Sequence, residues 1–103
     1  MEYKNRESIL DEMQKSLQPL MQQYDLDSIG IYEEQGEDEN YYIGYSIEKK
    51  DNFFIINLPY VKNEQGNLAV KDTNWTIQLD DHEEKNIKSL DEVFNRIEEN
   101  IKH

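Results

Sequence analysis

The chain has 103 residues, of which 36% are hydrophobic, and 23 Asp and Glu against 11 Lys and Arg give it a formal net charge of −12. This charge opposes binding to nucleic acid or to an anionic membrane, because both depend on cationic side chains that contact phosphate groups. The absence of cysteine excludes thiolate catalysis, thiolate metal sites and disulfides, and suits a reducing cytoplasm. No apolar run is long enough for a signal peptide or a membrane span, so we expect a soluble, cytoplasmic single domain over residues 1–103.

The first segment predicts a helix over about Arg6 to Tyr24. Asn5 is a suitable N-cap, and the apolar residues recur at three- and four-residue steps: Ile9, Leu10, Met13, Leu17, Leu20, Met21 and Tyr24. Pro19 lies inside this pattern and removes one backbone hydrogen bond, so we expect a kink there or two helical pieces.

The last segment predicts a second helix that runs to the C-terminus. Ser89 and Glu92 form an S-x-x-E capping box, and apolar residues then repeat at helical spacing: Leu90, Val93, Phe94, Ile97 and Ile101.

Between the helices the apolar period changes to two, which is typical of strands. Three strands are predicted around 29–32, 41–48 and 54–60. A tight turn at 49–52 would pair Ile47 with Phe54, and its continuation gathers the odd-numbered apolar side chains of the middle strand on one buried face. A five-residue loop over 35–39 would pair Tyr32 with Tyr42.

Leu68 and Val70 are even-numbered apolar residues, whereas Trp75, Ile77 and Leu79 are odd-numbered, so a bulge or a turn is expected within 71–74. The segment 80–88 is expected to be a polar connection. The predicted fold class is therefore α+β: an N-terminal helix, an antiparallel meander of four to five strands and a C-terminal helix, with both helices on one face of the sheet.

The opposite face of the sheet is the first candidate binding surface. The predicted register places Gly30 opposite Gly44 beside Tyr32 and Tyr42, and a glycine within a strand admits close approach of a ligand or another backbone. Phe53 and Ile55 lie at the other end of this face. One interpretation is that this face receives a partner chain or a second copy of the protein. The alternatives are that the tyrosines merely cover the glycines, or that the Trp75 segment or a chain terminus buries Phe53 and Ile55.

The second candidate is the acidic segment 25–40, which contains seven carboxylates and no Lys or Arg. Three interpretations stay open: a solvated loop, a docking surface for a basic partner, and a metal site. An EF-hand spacing fails, because Ile29 and Gly36 occupy ligand positions. The candidate residues on this hairpin are Glu33, Glu34, Glu37, Asp38 and Glu39.

No nucleophile, phosphate-binding or metalloprotease motif occurs in the chain. His82 stands among acidic residues in an expected polar turn. We therefore predict no enzyme, and no catalytic residue, metal ligand or cofactor site.

Three stretches resemble the small acidic proteins of unknown function carried by Bacillus- and Staphylococcus-type bacteria: Ser28-Ile-Gly-Ile-Tyr-Glu-Glu, Tyr42-Ile-Gly-Tyr and Leu58-Pro-Tyr-Val-Lys-Asn-Glu. The resemblance implies a bacterial cytoplasmic α+β protein without assigned site residues. The functional hypothesis is a non-enzymatic protein that binds another protein, with a basic protein as one candidate partner, and acts as an adaptor, inhibitor or immunity-like protein. The alternatives are metal or small-molecule binding by the acidic loops, nucleic-acid mimicry, and a plain homodimer.

Overall fold

The computed structural model describes residues 2–101. The elements in chain order are α1 (Arg6–Gln23), β1 (Ser28–Gln35), β2 (Asn40–Lys49), β3 (Asn52–Lys62), β4 (Leu68–Val70), β5 (Trp75–Gln78), β6 (Glu83–Ile87) and α2 (Leu90–Ile101). Residues 102 and 103, to which the sequence pattern extends the second helix, lie outside the described part of the chain.

All strand pairs are antiparallel, and five of the strands follow the order β1-β2-β3-β5-β6. β4 pairs with the C-terminal end of β3, and β5 pairs with an earlier part of the same strand. The parity change between Val70 and Trp75 is thus a turn between two separate strands. These observations confirm the α+β architecture and the antiparallel meander.

β6 lies where the sequence predicts a polar connection, so that prediction was wrong. Four of its five residues are polar, and its register against β5 shifts between Trp75 and Ile77, near Asn86, which has a φ of +63°. An edge strand that faces water on one side and contains a bulge shows little regular alternation. Only Ile87, which is 1% exposed, belongs to the buried core.

The predicted register between β2 and β3 is confirmed over the whole pair, from Asn40 opposite Val61 to Lys49 opposite Asn52. Lys50 and Asp51 form the turn and both have positive φ angles, as a two-residue hairpin turn requires. On the inner face of the sheet, Ile43 is 1% exposed, Tyr45 6% and Ile47 0%.

Both helices cover this inner face, as predicted. Val93, Phe94 and Ile97 of α2 are buried in the core, whereas the apolar residues of α1 are only partly buried. The Tyr24 ring, just after α1, stacks on Phe94 at a centroid distance of 3.9 Å and joins the two helices.

The helix ends follow the predicted capping. The Asn5 side chain accepts a hydrogen bond from the Ser8 amide at 2.7 Å, and the Ser89 hydroxyl accepts one from the Glu92 amide at 3.1 Å. α1 is continuous through Pro19, so the alternative of two helical pieces was wrong. Pro19 and Lys15 lie on the exposed side of the helix, where water can bind the carbonyl that proline leaves free.

Lys49 is a buried cation that the sequence pattern does not predict. It is 7% exposed, and its Nζ donates a hydrogen bond to the carbonyl oxygen of Tyr24 at 2.7 Å and pairs with the Glu98 carboxylate. Tyr24 is the C-cap of α1, so this lysine places a positive charge at the negative end of the helix and ties it to α2.

Candidate functional site

The face of the sheet opposite the helices, called the outer face here, contains the six predicted strand residues of the binding hypothesis: Gly30, Tyr32, Tyr42, Gly44, Phe53 and Ile55. Successive side chains of a strand point to opposite faces, and the confirmed register pairs Ser46 with Ile55 and Glu48 with Phe53. All six residues therefore lie on the face away from the buried core. The helices leave this face uncovered.

The register between β1 and β2 differs from the prediction by two residues. Tyr32 lies opposite Gly44, Gly30 opposite Ser46, and Glu34 opposite Tyr42. The loop is shorter than predicted because Asp38 adopts a φ of +56°, and the Asn40 amide then donates to the carbonyl oxygen of Glu37 at 3.0 Å. Aspartate tolerates this left-handed conformation better than most residues.

Gly44 is explained by packing within the sheet. A Cβ atom at this position would lie 1.7 Å from the carbonyl oxygen of Ile56 and 2.5 Å from the Cα of Asn57, far inside van der Waals contact. The predicted dent of two facing glycines is therefore wrong: Gly44 permits β3 to approach β2, and Gly30 lies elsewhere in the register. A larger side chain at Gly44 would disrupt the sheet before it affected any docking.

A depression of about 220 Å³ lies at the centre of the outer face, lined by Glu34, Tyr42, Asn57, Thr76, Gln78, Glu83 and Lys85. Glu34 is on β1 and Glu83 on β6, the two opposite edges of the sheet. Because both edges contribute to one small depression, the outer face is concave. We call these seven residues the outer cleft.

Asn57 is the distinctive residue of the outer cleft. It is 4% exposed, and its Nδ2 has no hydrogen-bond partner in the part of the chain that the structure describes. Its neighbours across the sheet are Gly44 and Thr76, neither of which offers that nitrogen an acceptor. A buried amide that lacks a partner costs about 1–3 kcal/mol, so the site favours an acceptor brought from outside.

The two tyrosines border the outer cleft. The Tyr32 hydroxyl donates to the Glu34 carboxylate and reaches Gln78; burial and this carboxylate raise the pKa of Tyr32 to about 12. The Tyr42 ring packs against Gly36 of the hairpin loop, where a Cβ would meet its Cε2 at 2.7 Å. The Tyr32 phenol is therefore a neutral hydrogen-bonding group near pH 7, and the Tyr42 ring offers an aromatic surface.

Glu33 points to the inner face and belongs to the scaffold. Its carboxylate accepts two hydrogen bonds from the Arg6 guanidinium, at 2.6 and 2.8 Å, and one from the Tyr41 hydroxyl at 2.7 Å. The hydrogen bond from Arg6, supported by that from Tyr41, holds the pKa of Glu33 below its usual value despite some burial. This network attaches the start of α1 to β1 and β2, so Glu33 is separated from the predicted docking carboxylates.

Glu37, Asp38 and Glu39 lie exposed at the tip of the hairpin, next to the Tyr42 end of the outer cleft. Two lysines attach the hairpin to the rest of the sheet: Lys62 donates to the Gln35 side chain at 2.7 Å, and Lys71 to that of Asn40 at 3.1 Å. Neither lysine pairs with a tip carboxylate, so within residues 2–101 these three charges are not neutralised by an ion pair.

Phe53 does not join this cluster, whereas Ile55 lies opposite Gln78 of the outer cleft. Phe53 is 55% exposed and lies opposite Glu48, six positions from Tyr42 along β2. At about 3.3 Å per residue along a strand, the backbone positions that carry the two aromatic rings are about 20 Å apart. The predicted binding face therefore divides into a hairpin end and a Phe53 end.

His82 lies in the turn between β5 and β6. Its Nδ1 is 2.6 Å from an oxygen of Asp81 and its Nε2 is 3.4 Å from one of Glu84, and both hydrogen bonds raise the pKa of the imidazole. Across the described residues, no group of three or more His, Asp or Glu side chains could hold a metal ion. None of the helices in residues 2–101 is both long and apolar enough to cross a membrane.

The fold is an α+β sandwich of two helices on one side of an antiparallel sheet whose other side is open and concave. The chain belongs to the Family of unknown function (DUF5634), which matches residues 3–97. No curated protein matches the chain.

Proposed function

We propose that the protein is a non-enzymatic binding protein that docks a basic segment of another protein in its outer cleft, at the hairpin end of the sheet. In this proposal it acts as an adaptor or inhibitor in the cytoplasm of a bacterial cell, the source that the resemblance of the three sequence stretches implies.

The buried amide of Asn57 carries the proposal. It lies at the centre of a face that no helix covers, and its nitrogen lacks an acceptor among residues 2–101. A backbone carbonyl of a docked segment is a suitable acceptor, because extended chains present carbonyls to open sheet faces and grooves. Satisfying this amide would make the partner's position specific.

The charges around the outer cleft favour a basic segment. Glu34 and Glu83 line the outer cleft. The Lys85 Nζ lies 3.8 Å from the Glu83 Oε1 and partly neutralises that carboxylate. Glu37, Asp38 and Glu39 extend the negative surface beyond Tyr42, and the whole chain has a charge of −12. Such a field accelerates association with a cationic partner and weakens as salt screens it.

Site-specific photocrosslinking tests the proposal. A photoreactive phenylalanine analogue replaces Tyr42 in one variant and Phe53 in a matched control, since both are aromatic and belong to the same face about 20 Å apart. We expect the Tyr42 variant to crosslink one basic protein in cells, with a yield that falls when cells are lysed into high salt before irradiation.

The outcomes separate the hypotheses. Crosslinking of a basic protein at Tyr42 but not at Phe53 supports the proposal. Crosslinking to a second copy of the chain would make the face a homodimer interface and contradict it. Equal yields at both positions, or no adduct at Tyr42, would also contradict it.

A further inference from the structure

A second cavity, of about 520 Å³, lies on the inner face between α1 and the sheet. Its apolar walls come from Ile9 and Met13 of α1 and from Leu68 and Val70 of β4. Small-molecule sites in proteins typically have volumes of about 300–1,000 Å³, so this cavity is of the size that binds a ligand.

The cavity lies under the first turns of α1, which covers the inner face loosely. No residue of α1 is buried, although Leu68 on the sheet beneath it is only 1% exposed. The N-terminal segment closes one side, where Lys4 and Leu68 exchange two backbone hydrogen bonds of 2.8 Å. The sheet forms the floor of the cavity, the N-terminal segment bonded to the sheet forms one side, and α1 forms another wall.

Two tyrosines form the polar part of the cavity. Tyr45 is 6% exposed, and its hydroxyl interacts with the Ser16 side chain of α1. Burial raises the pKa of Tyr60, with smaller contributions from Tyr45 and from the charge of Glu12. Both phenols therefore stay neutral near pH 7 and offer hydrogen bonds and aromatic faces within an apolar site.

The charged residues around the cavity are Glu2, Glu12 and Lys4, two carboxylates and one ammonium group. Together with the net charge of the chain, they favour a cationic group over an anionic one. Aromatic rings add a further attraction for an ammonium group that loses part of its water shell.

We propose that this cavity binds a small amphiphile that combines an apolar chain with a protonated amine. The chain lies between Met13 and Val70, and the ammonium group lies near Glu12 and the two tyrosine rings. This inference is independent of the outer cleft, since the cavity is on the opposite face of the sheet.

Binding of three probes that share one chain tests this proposal: n-octylammonium, n-octanol and n-octanoate, each titrated as a monomer and measured by calorimetry and by methyl NMR. We expect affinity to fall in that order, with methyl shifts at Ile9, Met13 and Leu68. Octanoate binding as tightly as octylammonium would overturn the proposal, as would shifts centred on Phe53 or no binding at millimolar probe.

Two variants localise the site. Glu12→Gln should weaken octylammonium roughly two- to fivefold and leave octanol unchanged, because one partly screened carboxylate is lost. Asp11→Asn, a matched loss of charge on the exposed side of the same helix, should change neither. An equal effect of the two substitutions would show that binding depends only on net charge and would overturn the site.

Val70→Phe narrows the cavity, because Val70 lies opposite Tyr60 on the inner face, and should weaken both octylammonium and octanol at least tenfold. The Glu12 and Asp11 variants keep the proposal testable if the larger side chain impairs folding, since both positions are exposed. Unchanged probe affinity in a folded Val70→Phe protein would contradict the proposed location.

Discussion

Gly44 gives the sharpest prediction about stability. Its missing Cβ would lie 1.7 Å from the Ile56 carbonyl oxygen, whereas even a close carbon–oxygen contact needs about 3.3 Å. Gly44→Ala therefore forces β2 and β3 apart by about 1.6 Å locally, which breaks the hydrogen bonds that flank the position. Gly30 is a matched control, because a Cβ there meets only the rotatable Ser46 hydroxyl at 3.1 Å.

The expected magnitudes follow from these contacts. Two flanking hydrogen bonds lost in a buried sheet, with their groups left unsatisfied, cost about 3–5 kcal/mol, a large part of the roughly 5–15 kcal/mol that stabilises a typical domain. Gly30→Ala should change the free energy of unfolding by less than about 1 kcal/mol, since alanine is at least as favourable as glycine in a strand.

Urea unfolding followed by Trp75 fluorescence measures both variants. We expect a much lower midpoint for Gly44→Ala than for Gly30→Ala, with little change in the slope for the control. If the two free energies of unfolding agree within about 0.5 kcal/mol, the close approach of β2 and β3 at Gly44 is wrong.

Three further predictions concern the ionic contacts. Glu33→Gln should cost about 1 kcal/mol at pH 7. Because the pKa of Glu33 is lowered in the fold, the difference from wild type should persist at pH values above the pKa of the unfolded chain and be lost as the pH falls through the lowered pKa of the folded protein, as urea titrations from pH 7 downwards would show. Glu98→Ala should destabilise by about 1–3 kcal/mol, more than Lys49→Met, because it leaves a buried ammonium group without its carboxylate; equal losses in thermal unfolding would contradict this. By NMR titration His82 should have a pKa above 6.5 that Asp81→Asn lowers, and an unchanged pKa would show that the Asp81 contact is not populated in solution.

The register of β2 against β3 could be predicted because a short turn and a row of apolar pairs both determine it. The register of β1 against β2 could not, because a shift of two residues leaves every side chain on the same face. Hydrophobic alternation therefore assigns Tyr32 and Tyr42 to the outer face but does not decide whether they face each other. The loop conformation at Asp38 decided it.

The candidate site was predicted only in part. Alternation placed Tyr32, Glu34 and Tyr42 on the correct face, and the same alternation would have assigned Glu33 to the inner face had it been applied to the acidic run. The contribution of β6 was missed because that strand is polar, so Glu83 and Lys85 went unrecognised. The orphan amide of Asn57 depends on which side chains the neighbouring strands place beside it, which the pattern along one strand does not encode.

The proposed function requires a partner that satisfies the buried Asn57 amide, and the ¹H–¹⁵N spectrum of that side chain with and without the protein captured through Tyr42 tests this requirement. We predict that binding shifts the Asn57 side-chain amide protons downfield and slows their exchange with water, as a new hydrogen bond requires. Unchanged Asn57 signals in a complex that perturbs other residues would contradict the account.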